Sequence, residues 1–195
     1  MGNSDIRKTY NLADLICTRE ALERRCLAIE TFTSRFGPEV RFEFGRTTLT
    51  RVSRRIPAGG SRRHLAPCQR DRLARLIDKA HASKLVHGDI CPKNLIISVD
   101  NLYILDWEPC LRQVRDGGIR FVVTPPCFHP CDRLSGSITV LTDLMGLARF
   151  WPGQTALSAS RLASAALNEN RQSPAAALAL ALDIEARRGA GAGQA

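Results

Sequence analysis

The sequence predicts an α+β fold. Three observations predict it. Strand-like runs gather in the first third of the chain, at 6–10, 40–44 and 47–52, around one stretch of helical periodicity. A short apolar pair of runs, 95–97 and 102–105, sits mid-chain around a tight-turn pair, Asp100-Asn101. Helix-periodic stretches fill the remainder. At 195 residues and 44% apolar, the chain is long enough to bury one core.

Each element has a local reason. Thr18 is a side-chain acceptor suited to cap a helix running to about Phe32, in which Leu22, Cys26 and Ile29 share a face. Gly37-Pro38 breaks that pattern, and Gly45 joins the next two strands. Pro57-Ala58-Gly59-Gly60-Ser61 reads as a connector. The expected division is therefore 1–58, 59–188 and a Gly-Ala tail at 189–195 without order. A helix over 68–82 buries Leu73, Leu76, Ile77 and Ala80. Residues 107–142 are rich in Gly and Pro and read as irregular. Thr142 then caps a helix starting at Asp143, with Leu144, Leu147 and Ala148 as its apolar contacts. A helix at 157–167 follows. Ser173-Pro174 opens a last one, ending near Arg188 with Gly189 as its stop.

Net charge is +9, and only Lys8, Lys79, Lys84 and Lys93 among the 28 basic residues are lysines. Arg51, Arg54, Arg55, Arg62, Arg63, Arg70, Arg72 and Arg75 form a dense stretch. It reads as a solvated face, or as a surface for nucleic acid or an acidic protein. Few aromatics accompany it, so a base-stacking platform is not supported. The seven cysteines contain no CxxC pair. Cys127 and Cys131 bracket His129, but no fourth ligand stands at a zinc-site spacing. Free thiols in a reducing cytoplasm are expected. No eighteen-residue apolar run is present, so no membrane span is expected.

The densest chemistry lies in His87-Gly88-Asp89-Ile90-Cys91-Pro92-Lys93-Asn94, followed by Asp106-Trp107-Glu108. Asn94 opens the first strand of the mid-chain hairpin and Asp106 follows the second, so antiparallel pairing brings those two ends together.

These residues resemble the protein kinase superfamily over roughly 6–150. Asp89 and Asn94, five apart, match its catalytic loop, and Asp106, twelve after Asn94, matches its metal-binding Asp. Thr124-Pro125-Pro126-Cys127-Phe128-His129-Pro130-Cys131 is similar to the segment that closes a protein kinase activation loop. Asp143 stands where the family has a buried Asp bracing the catalytic-loop backbone, and His81 where it often has a buried His. The resemblance implies a two-lobed kinase-like fold with a truncated N-lobe and a reduced, mostly helical C-lobe. It implies ATP and Mg2+ as cofactors. Asp89 would act as base, with Asn94 and Asp106 on the metal and Lys8 paired with Glu23 on the phosphates. Leu27, four residues after Glu23, fits the family pattern, and Glu20 is the alternative partner. Thr124 would support the catalytic loop or receive substrate. His87 would be structural, packed beneath the metal-binding segment.

The match has departures. No Gly-rich loop precedes Lys8, so either the natural start lies upstream or the chain is a minimal kinase. Gly59-Gly60 and Gly117-Gly118 lie in the wrong places for it. Cys91 stands where many protein kinases carry a Lys, and Asp-Trp-Glu replaces Asp-Phe-Gly. The expected activity is transfer of the ATP γ-phosphoryl to Ser or Thr of a protein substrate in the cytoplasm. The rivals are a small-molecule kinase of the aminoglycoside, choline or lipopolysaccharide type, a pseudokinase or binding module, and nucleic-acid binding through the Arg stretch. Oligomeric state has no sequence signal.

Overall fold

Alternating inward and outward residues in the first third build a three-stranded antiparallel sheet. Its strands are β1 (Ile6–Asn11), β2 (Val40–Phe44) and β3 (Thr48–Ser53), in the order β1-β3-β2. This computed structural model describes residues 5–15, 17–56, 65–97, 101–109, 112–116, 119–123 and 140–192. The central strand sets the register: Arg51 lies opposite Lys8 on one side and Phe42 on the other. Tyr10, Val40, Leu49 and Val52 bury their side chains, and the Gly45 N–H closes the β2–β3 turn on the Thr48 carbonyl at 2.8 Å.

Helix α1 (Arg19–Phe36) begins where expected, with Thr18 Oγ1 accepting the Ala21 N–H at 3.2 Å. It runs four residues past Phe32, because Phe32, Thr33 and the half-buried Phe36 continue the inward face. Two side chains of α1 tie it to β2: Glu30 Oε1 accepts the Phe42 N–H at 2.6 Å, and Thr33 Oγ1 accepts the Val40 N–H at 3.2 Å. Both bonds satisfy β2 backbone donors.

Helix α2 (Pro67–Ala82) starts with Pro at its first position and Gln69 Oε1 accepting the Ala66 N–H. The hairpin strands β4 (Leu95–Ile97) and β5 (Leu102–Ile104) pair antiparallel, with Leu95 opposite Ile104. Beyond them the structure departs from the sequence reading. Residues 112–123 contain a second hairpin, β6 (Arg112–Asp116) and β7 (Ile119–Val123). The stretch Asp116-Gly117-Gly118 between two alternating runs is the sequence signal for that hairpin.

Three helices complete the fold: α3 (Val140–Ala148), α4 (Ala156–Glu169) and α5 (Pro174–Ala192). Thr142 lies within α3 and is not its cap, since Val140 and Leu141 already have helical backbone. Nor does Gly189 stop α5. The helix runs through it to Ala192, so the unordered tail expected at 189–195 is helical over its first four residues. A glycine inside a helix costs about 1 kcal/mol against alanine, and Ala190 and Ala192 alternate with the glycines there.

One apolar cluster spans the molecule. It runs from Ile29, Phe32 and Val40 through Leu73, Ile77 and Trp107 to Leu147, Leu178 and Leu182. A smaller one, Tyr10, Leu22, Cys26 and Leu49, fills the space between the sheet and the first turns of α1. The boundary expected at residues 57–61 lies outside the described residues. Among the described residues, no helix is long and apolar enough to cross a membrane.

Candidate functional site

The loop between α2 and β4 is held from below by one buried carboxylate. Asp143, 1% exposed on α3, accepts the Gly88 N–H on Oδ1 at 2.7 Å and the His87 N–H on Oδ2 at 2.8 Å. His81 Nε2, at the end of α2, lies 2.9 Å from the same Oδ2. Charge-assisted bonds to backbone donors are short and strong, so Asp143 fixes the loop at two consecutive peptides. Gly88 supplies the left-handed conformation, at φ 82, that the turn requires. Gly146, one turn further along α3, lets the loop approach closely: a Cβ there would sit 2.7 Å from the Ile90 carbonyl oxygen.

His87 connects this loop to the segment after β5. Its Nε2 lies 2.7 Å from the Leu105 carbonyl, and the Asp89 N–H donates to Nδ1 at 3.1 Å. A carbonyl can only accept and an N–H can only donate, so the ring proton sits on Nε2. The His87 ring meets the buried Trp107 edge-on at 4.7 Å. It therefore packs beneath the Asp106 segment, in a structural role.

Asp89 and Asn94 stand together. Asn94 Nδ2 donates to the Asp89 backbone carbonyl at 2.9 Å and to Asp89 Oδ2 at 3.0 Å, and its amide oxygen takes no part in either bond. Lys93 Nζ also reaches Asp89 Oδ2, at 3.5 Å. Cys91 is buried between them. Burial first, then the Asp89 charge, pushes its thiol above the usual range, so it is not poised as a nucleophile. The β4–β5 register continues by one step: the Leu105 N–H donates to the Asn94 carbonyl at 2.7 Å. Asn94 and Asp106 thus flank one end of the same hairpin.

Asp106 holds a left-handed backbone, φ 60, which is uncommon away from glycine. Its carboxylate is engaged: Oδ1 lies 2.6 Å from Arg51 Nη2 and 3.5 Å from Lys8 Nζ. Burial pushes the Asp106 pKa up. The Arg51 charge and hydrogen bond, with the Lys8 charge, outweigh that and hold it below the usual carboxylate range. Lys8 also pairs with Glu108, and Arg51 Nη1 donates to the Trp107 carbonyl at 3.1 Å. Burial, then the Glu108 charge, raises the pKa of Tyr10 beside this cluster.

The structure does not bring Glu23 to Lys8. Glu23 is half-exposed and pairs with Arg19 at 2.6 Å, while Glu20 pairs with Arg24. Leu27 is 64% exposed. The reason is helical phase. Leu22, Cys26 and Ile29 turn inward, and Glu23 and Leu27 lie off that face. The carboxylates facing Lys8 come from Asp106 and Glu108. The α1 residue that reaches the site is Arg25, whose Nη2 donates to the Val86 carbonyl at 2.8 Å and Nε to the Glu108 carbonyl at 3.2 Å. Thr124 lies outside the described residues, as do Cys127, His129 and Cys131.

Arg51, Arg25 and Glu108 are the site residues that sequence reading missed. Arg51 belongs to the Arg-rich stretch, yet it is 6% exposed, and Arg70 of the same stretch stacks on Trp151 at 4.7 Å and pairs with Asp183. Arg54, Arg55, Arg72 and Arg75 are exposed. The one available signal for Arg51 was its place opposite Lys8 in the central strand.

A hard divalent cation takes oxygen ligands, often one or two protein groups with the remainder from phosphate and water. The Asn94 amide oxygen and the Asp106 carboxylate suit that chemistry. Among the described residues, no group of three or more His, Cys, Asp or Glu side chains is arranged to hold a metal alone.

No protein-family model matches the chain. No curated protein matches it. Among solved structures it is similar to PK-1, the kinase of Cydia pomonella granulovirus, at 12% identity and a TM-score of 0.46. That likeness covers 76% of this chain, which spans 58% of the length of the viral kinase.

Proposed function

We propose that this chain is a small kinase-like phosphotransferase that moves the γ-phosphoryl group of ATP, with Mg2+, to a Ser or Thr hydroxyl of a protein. The observation that carries this reading is the braced loop. Asp143 fixes His87 and Gly88, His87 fixes the Leu105 carbonyl, and Asn94 fixes Asp89. Such bracing of an acid, an amide and a second acid at one hairpin end suits positioning chemistry, in which rate comes from alignment and charge neutralisation.

Asp89 orients the acceptor hydroxyl and takes its proton as the oxygen bonds to the γ-phosphorus. The bond from that phosphorus to the β,γ-bridging oxygen breaks, and ADP departs. Asn94 and Asp106 would hold the magnesium ion, which neutralises phosphate charge when bound. Lys8 offers its ammonium to the phosphates. Arg25 keeps α1 against the Glu108 and Val86 carbonyls.

A second reading, a nucleotide-sensing or scaffolding module without turnover, is favoured by one observation: Asp106 is already held by Arg51 and Lys8. Incubation with radiolabelled ATP, Mg2+ and mixed protein acceptors separates the two. Transfer is expected from the wild type, with a loss of two or more orders of magnitude in Asp89→Asn and Asp106→Asn (about 2.7 kcal/mol or more of barrier). Equal labelling by all three proteins would remove the enzyme reading.

A further inference from the structure

Arg51 is the most buried cation of the site, and the phosphotransfer scheme above leaves it without a task. Its side chain is 7% exposed. Among the described residues, its Nε and Glu108 Oε2 are buried and have no hydrogen-bond partner. Arg51 and Lys8 sit opposite each other on paired strands and converge on the same oxygen, Asp106 Oδ1. Lys8 and Arg51 carry two positive charges and Asp106 and Glu108 two negative ones, so these four groups balance one another, and the Arg25 guanidinium adds a further positive charge at the Glu108 carbonyl. A divalent cation entering alone would meet two resident cations and lose to them. A divalent cation arriving with a polyphosphate brings its own surplus of negative charge, which a released guanidinium can meet with its planar fork of donors.

We propose that Arg51 is a phosphate-binding residue held in reserve by Asp106. When a divalent-cation complex of a nucleoside triphosphate binds, the cation takes the Asp106 carboxylate and the guanidinium passes to the phosphate oxygens. Arg51 then contributes directly to phosphate contact beside Lys8. This rests on the phosphotransfer reading of the site and extends it to a residue outside the kinase resemblance.

The exchange predicts a reversal of sign, which a merely structural arginine would not produce. Binding of Mn2+ is followed by electron paramagnetic resonance, with and without a non-hydrolysable ATP analogue. Without nucleotide, Arg51→Gln is expected to bind Mn2+ on the order of tenfold more tightly than wild type, because its competitor is gone. With the analogue saturating, the same variant is expected to bind Mn2+ on the order of tenfold more weakly. Arg51→Lys keeps a charge but loses the fork, and shows both changes at smaller size. It is read alone if Arg51→Gln fails to fold by circular dichroism. Unchanged Mn2+ affinity in both variants overturns the proposal. Tighter Mn2+ binding both with and without nucleotide also overturns it, since Arg51 would then only obstruct the site. Wild-type protein that binds no Mn2+ under either condition removes the phosphotransfer reading itself. Binding that needs Asp106 but ignores Arg51 removes the present proposal alone.

Discussion

At the scale of single residues, the site is a set of charges that satisfy one another. The Asp106 carboxylate faces Arg51 and Lys8, with Glu108, Tyr10 and His87 around it. Its pKa in the folded chain lies below the ordinary value of about 3.9. A depressed carboxylate pKa contributes stability that is complete above the unfolded value and fades as pH falls through the folded one. Arg51→Gln should therefore unfold at lower denaturant concentration than wild type at pH 7. The gap should stay constant down to about pH 5 and narrow below about pH 4, where the carboxyl is protonated in the unfolded chain. Denaturation curves at pH 7, 5 and 3 measure this. A gap that does not change with pH would mean that Arg51 stabilises through packing.

At the scale of elements, two helices act through a single carboxylate each. Asp78 on α2 accepts the Ala175 and Ala176 N–H groups at 2.8 and 2.9 Å, capping α5 from a neighbouring helix. Its pKa is nonetheless raised, because burial outweighs those bonds. Asp143 on α3 does the same for the loop at His87 and Gly88. Asp143→Ala leaves two buried N–H groups without acceptors and should cost on the order of 3–5 kcal/mol. Asp143→Asn keeps one acceptor oxygen and should cost less, near 1–3 kcal/mol. Urea titration ranks the pair, and equal losses would show that the two oxygens are not separately used. The loop brace was legible in the sequence because Asp143, His81 and the loop keep the spacing that the kinase resemblance implies, and β4 and β5 were legible as short apolar runs. The Arg51 pair was not. A strand places side chains by alternation, but whether an inward cation meets a carboxylate depends on a segment 55 residues away along the chain (Arg51 to Asp106). That Glu23 does not meet Lys8 has a similar reason: the kinase resemblance picks the residue by its spacing, whereas the inward face of α1 is set by Leu22, Cys26 and Ile29.

At the scale of the whole molecule, the apolar cluster that joins α1 and β2 to the helices α2–α5 argues against independent halves. The sheet with α1 and the helical remainder should unfold in one transition, with circular dichroism at 222 nm and tryptophan emission giving coincident midpoints. Two separated midpoints would show that the sheet and the helices are stable apart. Trp107 sits at the join. Phe32 of α1 lies 5.2 Å from its ring on one side and His87 of the loop 4.7 Å on another, and the next residue back is Asp106. With Trp151→Phe removing the other indole, the chain holds an optical gauge at the point where helix, loop and acid meet. Its fluorescence, followed during a titration with ATP, would test whether a nucleotide binds beside it without any label attached to the protein.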